Sequence, residues 1–133
     1  MYLLDTNVIS ELSRHSPNQG VLAWFQQQRS ISLSAVTVEE MTFGIERLPV
    51  GQNLRLLEWF SRLLAIPPEI LAVDSAVARL AGQLRAKREK AGRTVTQADM
   101  LIAATALIFG RILVTRNTKD FSECGVTLLN PFA

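Results

Sequence analysis

The strongest constraint on this chain is an alternation. Short strand-like runs at residues 2–4, 31–35, 70–73, 112–115 and 126–129 are separated by longer segments of helical period. That order predicts a three-layer α/β/α fold with a mostly parallel central sheet of four to five strands, helices covering both faces. The helical segments carry their own punctuation. A first helix is expected over 6–14. Ser16-Pro17-Asn18 opens a second, in which Val21, Leu22, Trp24 and Phe25 form an amphipathic stretch reaching Gln28. A third runs through Arg47 and stops near Pro49-Val50-Gly51. In a fourth, Leu54, Leu57, Phe60 and Leu64 recur at helical spacing before Pro67-Pro68. Asp74 begins a long helix to Ala91-Gly92, and Thr96 another to Phe109, stopped by Gly110. No repeat, linker or low-complexity tract divides residues 1–133, so one domain is expected.

Composition narrows the class. With 48% hydrophobic residues in 133, the chain can bury roughly two-thirds of its unfolded surface around one core. No apolar run approaches the roughly 20 residues that span a bilayer, so no membrane association is expected. The chain opens directly on a strand, without the basic and apolar regions of a signal peptide. Cys124 is alone and forms no internal disulfide, which fits a reducing cytoplasm. His15 is the single histidine, which argues against zinc and against Ser-His-Asp chemistry. A net charge of +2 is compatible with a polyanionic partner and diagnostic of nothing.

Where the acids fall is more telling. Asp5 ends the run Tyr2-Leu3-Leu4 abruptly, at the carboxyl end of a strand, where parallel α/β folds place ligands. It could equally cap the following helix, although Thr6 and Asn7 could also do so. Asp74 follows a strand in the same way with nothing else to mark it, and reads as a cap. Of the pair Glu39-Glu40, the stripe Val38, Met41, Ile45 and Leu48 turns Glu39 to solvent and leaves Glu40 at its flank, within reach of a cleft. Asp99 stands three positions after Thr96 in a capping-box-like arrangement that allows capping and metal binding alike. Asn117 and Asp120, after the fourth strand, are further candidate ligands or ligand-orienting groups, or simple turn residues. If Asp5, Glu40 and Asp99 converge, an acid-only pocket demands a cation to relieve its repulsion, and Mg²⁺ or Mn²⁺ suits such oxygen donors.

Taken together the blocks resemble a known family. Leu-Leu-Asp-Thr-Asn-Val-Ile-Ser at 3–10, Ser-Ala-Val-Thr-Val-Glu-Glu-Met-Thr-Phe-Gly-Ile at 34–45, Ala-Asp-Met-Leu-Ile-Ala-Ala-Thr-Ala at 98–106, and Leu-Val-Thr-Arg-Asn-Thr-Lys-Asp-Phe at 113–121 with Leu-Asn-Pro-Phe at 129–132 are similar to the acidic blocks of PIN-domain proteins. They are most similar to the VapC toxins of bacterial toxin–antitoxin pairs. Each block alone is weak, whereas four in order across nearly the whole chain are specific.

The resemblance implies a metal-dependent endoribonuclease in which Asp5, Glu40 and Asp99 hold Mg²⁺ or Mn²⁺. Thr115, with Thr6 or Asn7, would orient water or carboxylates. Many PIN domains carry aspartate where Asn117 stands, so the fourth acid is displaced or missing here: Asn117 could still bind a metal-bound water, or Asp120 could substitute from the same loop. A basic stretch, Arg85, Lys87, Arg88, Lys90 and Arg93, together with Arg116, would guide RNA, although the plainer reading of the stretch is the solvated face of a long helix. The family further implies a homodimer and a small VapB-type antitoxin wrapping an apolar groove near the second to fourth helices. Trp24, Phe25, Trp59 and Phe60 would line that groove or fill the core, with core expected for at least half of them.

Rival readings fit less well. A haloacid-dehalogenase-like phosphatase needs a second aspartate where Asn7 stands, and a receiver domain needs companion acids that Asp74 lacks. The alternative from another class is a non-catalytic PIN-like module that binds RNA or a partner.

Overall fold

A computed structural model describes residues 1–66 and 68–133. The chain runs β1 (Tyr2–Leu4), α1 (Thr6–Leu12), α2 (Gln19–Gln26), β2 (Ser32–Ser34), α3 (Ala35–Glu46), α4 (Leu54–Ala65), β3 (Glu69–Leu71), α5 (Ser75–Lys90), α6 (Gln97–Phe109), β4 (Ile112–Val114), α7 (Thr118–Phe121) and β5 (Leu128–Leu129). The strands form one sheet in the order β3-β2-β1-β4-β5, and every pairing is parallel.

Alternation along the two central strands makes the three layers. Leu3 and Leu113 point to one face, where they join Val77 and Ala81 of α5 and Met100, Ala103 and Ala104 of α6. Leu4 and Val114 point to the other, joining Val8 and Ile9 of α1, Met41 and Ile45 of α3, and Phe60 of α4. All of these side chains are buried, so both faces of the sheet are core. Among the described residues no helix is long and apolar enough to cross a membrane.

Helix boundaries follow cap chemistry. Asn18 accepts from the backbone N–H groups of Gly20 and Val21, Ser34 from Val36, and Thr96 from Asp99. Asp74 accepts from Val77 N at 3.0 Å and is therefore a cap, as expected. Gly110 closes α6 at φ +64°, a left-handed turn that lets Arg111 N–H reach back to the Ala106 carbonyl. Helix α1 stops at Leu12, short of the expected Arg14: Ser13 is its C-cap, and the Arg14 N–H reaches only to the Glu11 carbonyl. Of the Pro67-Pro68 stop, Pro67 lies outside the described residues. The expected aromatic core splits: Phe60 is buried and Trp24 packs edge-on against Tyr2 at 5.3 Å, whereas Phe25 and Trp59 line a surface groove.

Strand order locates the crevice. From β1 the chain moves outward to β2 and β3, then crosses to β4 and β5 on the other side, so the order reverses between β1 and β4. Open α/β sheets bind ligands at the carboxyl ends flanking such a reversal. The residues there are Asp5, directly after β1, and Thr115, directly after β4.

Candidate active site

Asp5 is 4% exposed and caps α1. Its Oδ1 accepts from Thr6 N at 2.7 Å, and its Oδ2 accepts from Thr115 Oγ1 at 2.8 Å and Asn7 Nδ2 at 3.2 Å. Capping, one of the two roles the sequence offers Asp5, is thus realised through Oδ1, while Oδ2 is held by Thr115 and Asn7. Thr115, fully buried, also receives Asn117 N at 3.0 Å, and Asn7 Oδ1 receives Arg116 N at 3.3 Å. The turn after β4 is thereby stitched to the first turn of α1.

Glu40 enters from α3. Its Oε1 accepts the Thr6 hydroxyl at 2.6 Å, and the same hydroxyl lies 3.0 Å from Thr37 Oγ1. Glu39 is exposed and Glu40 partly buried, so the helical stripe separates the two as expected. Thr37, fully buried, is a residue the sequence reading missed. Its position one turn before Glu40, on the same face, was the available signal. Asp99 sits half-buried in the first turn of α6, its backbone N–H bound to Thr96 Oγ1 at 3.0 Å.

Electrostatics joins these groups. Burial pushes the Asp5 carboxyl up to about 6; the Thr115 hydroxyl and Thr6 N–H oppose the rise, and the charges of Asp99 and Glu40 add to it. Burial also raises Asp99, moderated by Thr96 and reinforced by Asp120 and Glu40. Asp120 is therefore the acid of the last block whose charge Asp99 feels, while Asn117 caps α7 without a side-chain bond. Among the described residues no three His, Cys, Asp or Glu side chains form a ready-made ligand set. The Glu40 carboxylate is instead tied to Thr6. None of the ion pairs among the described residues involves Asp5, Glu40 or Asp99. Asp5 is thus a buried carboxylate with no cationic partner among the described residues, while Glu40 and Asp99 are partly exposed.

The basic stretch of α5 needs one correction. Arg88 is 4% exposed, its Nη1 lying 3.9 Å from the buried Cys124 sulfur, so it faces the core and not a nucleic acid. The helix turns it inward, against Cys124. Arg85, Lys87 and Lys90 are exposed, and Arg93 is paired with Glu123 at 3.5 Å. Arg116 lies over the Phe132 ring, 5.1 Å from its centroid.

The model of the family described as "PIN domain" matches residues 2–126. The VapC ribonuclease Y4jK of Sinorhizobium fredii is 36% identical to this chain, over 99% of the chain and 98% of that protein. Toxin FitB of Neisseria gonorrhoeae is likewise 36% identical, over 99% of both. The crystal structure of FitAcB from Neisseria gonorrhoeae superposes with a TM-score of 0.86 at 36% identity, covering 98% of each chain. With a family match across most of its length and full-length relatives above 30% identity, this chain belongs to the PIN-domain family.

Proposed function

We propose that this protein is a metal-dependent endoribonuclease, the toxin of a type II toxin–antitoxin pair acting in the cytoplasm. The observation that carries the reading is Asp5: a carboxylate buried at the strand-order reversal, without a cationic partner, sensing the charges of Asp99 and Glu40. A full-length relative named a ribonuclease supports the reaction class.

Asp5, Glu40 and Asp99 would hold Mg²⁺ or Mn²⁺, with Asp120 nearest to the role of fourth acid. The bound ion would make a water nucleophilic near neutral pH and offset negative charge building on the phosphodiester. The chain's own side chains supply position. Thr115 and Asn7 hold Asp5 Oδ2 in one orientation, and Thr6 holds Glu40 Oε1. Such partners keep a donor set aligned for in-line attack, in which water adds to phosphorus and the P–O3′ bond breaks. The products are a 5′-phosphate and a 3′-hydroxyl.

A VapB-type antitoxin and a homodimer complete the proposal. A mostly apolar groove of about 480 Å³, lined by Phe25, Ile31, Trp59, Leu63 and Ile66, suits an amphipathic segment of such a partner. Phe43, 63% exposed on α3, suits contact with a second copy.

Purified chain incubated with single-stranded RNA and Mg²⁺ or Mn²⁺ should give fragments bearing 5′-phosphates, and Asp5→Asn should abolish them. RNA that is bound yet stays intact with either ion would sink the catalytic reading in favour of a binding module.

A further inference from the structure

A second feature adjoins the acidic site. Between α1 and α4 lies a groove of about 330 Å³, and of its lining residues only Leu56 is apolar. At one end is Asn7, whose amide touches Asp5 Oδ2 at 3.2 Å. Farther along stand two arginines, Arg14 and Arg55. The Arg14 side chain is 69% exposed, and Arg55 Nη1 donates to the Ser13 carbonyl at 2.9 Å, which fixes its guanidinium at the wall. A third arginine stands beside the groove. Arg116 is bound through its N–H to Asn7, held over the Phe132 ring, and within Coulombic reach of Glu11.

Glu11 is the one acid in the lining, and it is already engaged: Asn18 N donates to it at 2.8 Å and Arg14 Nη1 at 3.2 Å. Two arginines therefore line the groove and a third stands beside it, against one carboxylate that Arg14 and the Asn18 N–H already hold. A cationic groove that begins beside the buried carboxylate of Asp5 has an unusual charge order. It repels its ligand's anionic backbone at the metal position and attracts it one step away.

We infer that this groove binds the RNA phosphate backbone next to the cleaved bond, Arg14 and Arg55 each contacting a phosphate. The inference rests on the nuclease reading above and names where its substrate lies. An acidic protein segment would also meet the arginines, but the groove begins at Asn7, so a strand lying across Asp5 passes directly into it. Phosphate contacts of this kind set register without reading sequence.

The test is binding of a labelled single-stranded oligoribonucleotide to the full chain carrying Asp5→Asn, across a series of KCl concentrations. Adding Arg14→Gln and Arg55→Gln should reduce the slope of log K on log salt by ~1.4, about 0.7 for each lost contact, equally for unrelated sequences. In the cleaving chain the change should fall on KM and not on kcat. Thermal melting checks the fold, and if the pair destabilises it, Arg14→Gln alone should still lower the slope by about 0.7. An unchanged slope overturns the inference, as does a loss confined to Arg85→Gln with Lys90→Gln, or a loss of binding to an acidic peptide with RNA affinity intact. A parent chain that neither binds nor cleaves RNA ends the nuclease reading and this inference with it. Cleavage that is indifferent to Arg14 and Arg55 ends only this inference.

Discussion

Thr115, buried at the end of β4, donates its hydroxyl to Asp5 Oδ2 at 2.8 Å, joining residues 110 positions apart across the two central strands. This bond is the largest influence holding the Asp5 carboxyl down against its burial. Thr115→Val removes it while keeping the shape. A hydrogen bond to a charged group is worth about 1.5–3 kcal/mol, or ~1–2 pH units. On the proposed metal-nuclease reading protons and a divalent cation would compete for Asp5, so the acid limb of the kcat/KM profile should move up by that amount, and Thr115→Ser should restore it. A uniform loss of rate with an unmoved limb would assign Thr115 another role.

The same carboxylate makes a stability prediction. Its folded pKa of about 6 lies above the ordinary 3.8, so the native state holds the proton more tightly than the unfolded chain. Stability from this group is then fully present below pH 3.8 and is lost as pH rises through about 6. At pH 7 the ionised, cation-free Asp5 costs up to about 3 kcal/mol. Asp5→Asn should therefore make the metal-free protein more stable at pH 7 while abolishing cleavage, and should flatten the fall in stability between pH 5 and 7. Denaturant melts at both pH values read this directly. A variant less stable than its parent at pH 7 would refute it.

Thr6 ties Glu40 at 2.6 Å and contacts Thr37 at 3.0 Å. Thr6→Val frees the glutamate to rotate without altering its charge. Removing partners that orient metal ligands typically costs 10–100-fold in metal affinity. The Mg²⁺ or Mn²⁺ concentration giving half-maximal cleavage should rise by that factor, and Thr6→Ser should recover most of it. Full activity at unchanged metal concentration would show that Glu40 needs no holding.

Much of this was legible in the chain because it rests on period and punctuation. The end of β1 just before Asp5, the cap at Asp74 and the left-handed stop at Gly110 are local signals and stand where the pattern put them, while β4 ends at Val114, one residue before the expected Thr115. Helix α7 was not legible. Its four residues are too few to show a period, and Phe121, fully buried, anchors it through tertiary contact. Arg88 misled for a related reason: a charge run implies a solvated face, whereas packing against Cys124 buried one member of it. The groove beside Asn7 was invisible because α1 and α4 meet only in the fold.

Asp120 and Asn117 are the two candidates for the last acidic position. Asp99 feels the charge of Asp120, whereas the Asn117 side chain makes no capping bond. Asp120→Asn should therefore lower the Asp99 pKa and weaken metal binding more than Asn117→Ala does. Titrating Mn²⁺ into each variant by calorimetry separates them. Equal losses, or a larger one for Asn117→Ala, would make Asn117 the ligand-orienting residue.

Arg88 offers a test in which a charge is removed to gain stability. Its guanidinium is buried, and among the described residues Nη1 meets only a sulfur at 3.9 Å and Nε has no hydrogen-bond partner. A buried cation without matched acceptors costs desolvation that it does not recover, and replacing such groups by apolar side chains of similar size is often neutral or stabilising by about 1–4 kcal/mol. Arg88→Met should thus raise the melting temperature or leave it unchanged, with RNA affinity and its salt slope untouched. It should also leave the Cys124 thiol, already pushed up by burial and held back only by Arg88, less reactive toward thiol reagents. Lower RNA affinity at unaltered stability would instead mean that Arg88 swings out to reach the nucleic acid.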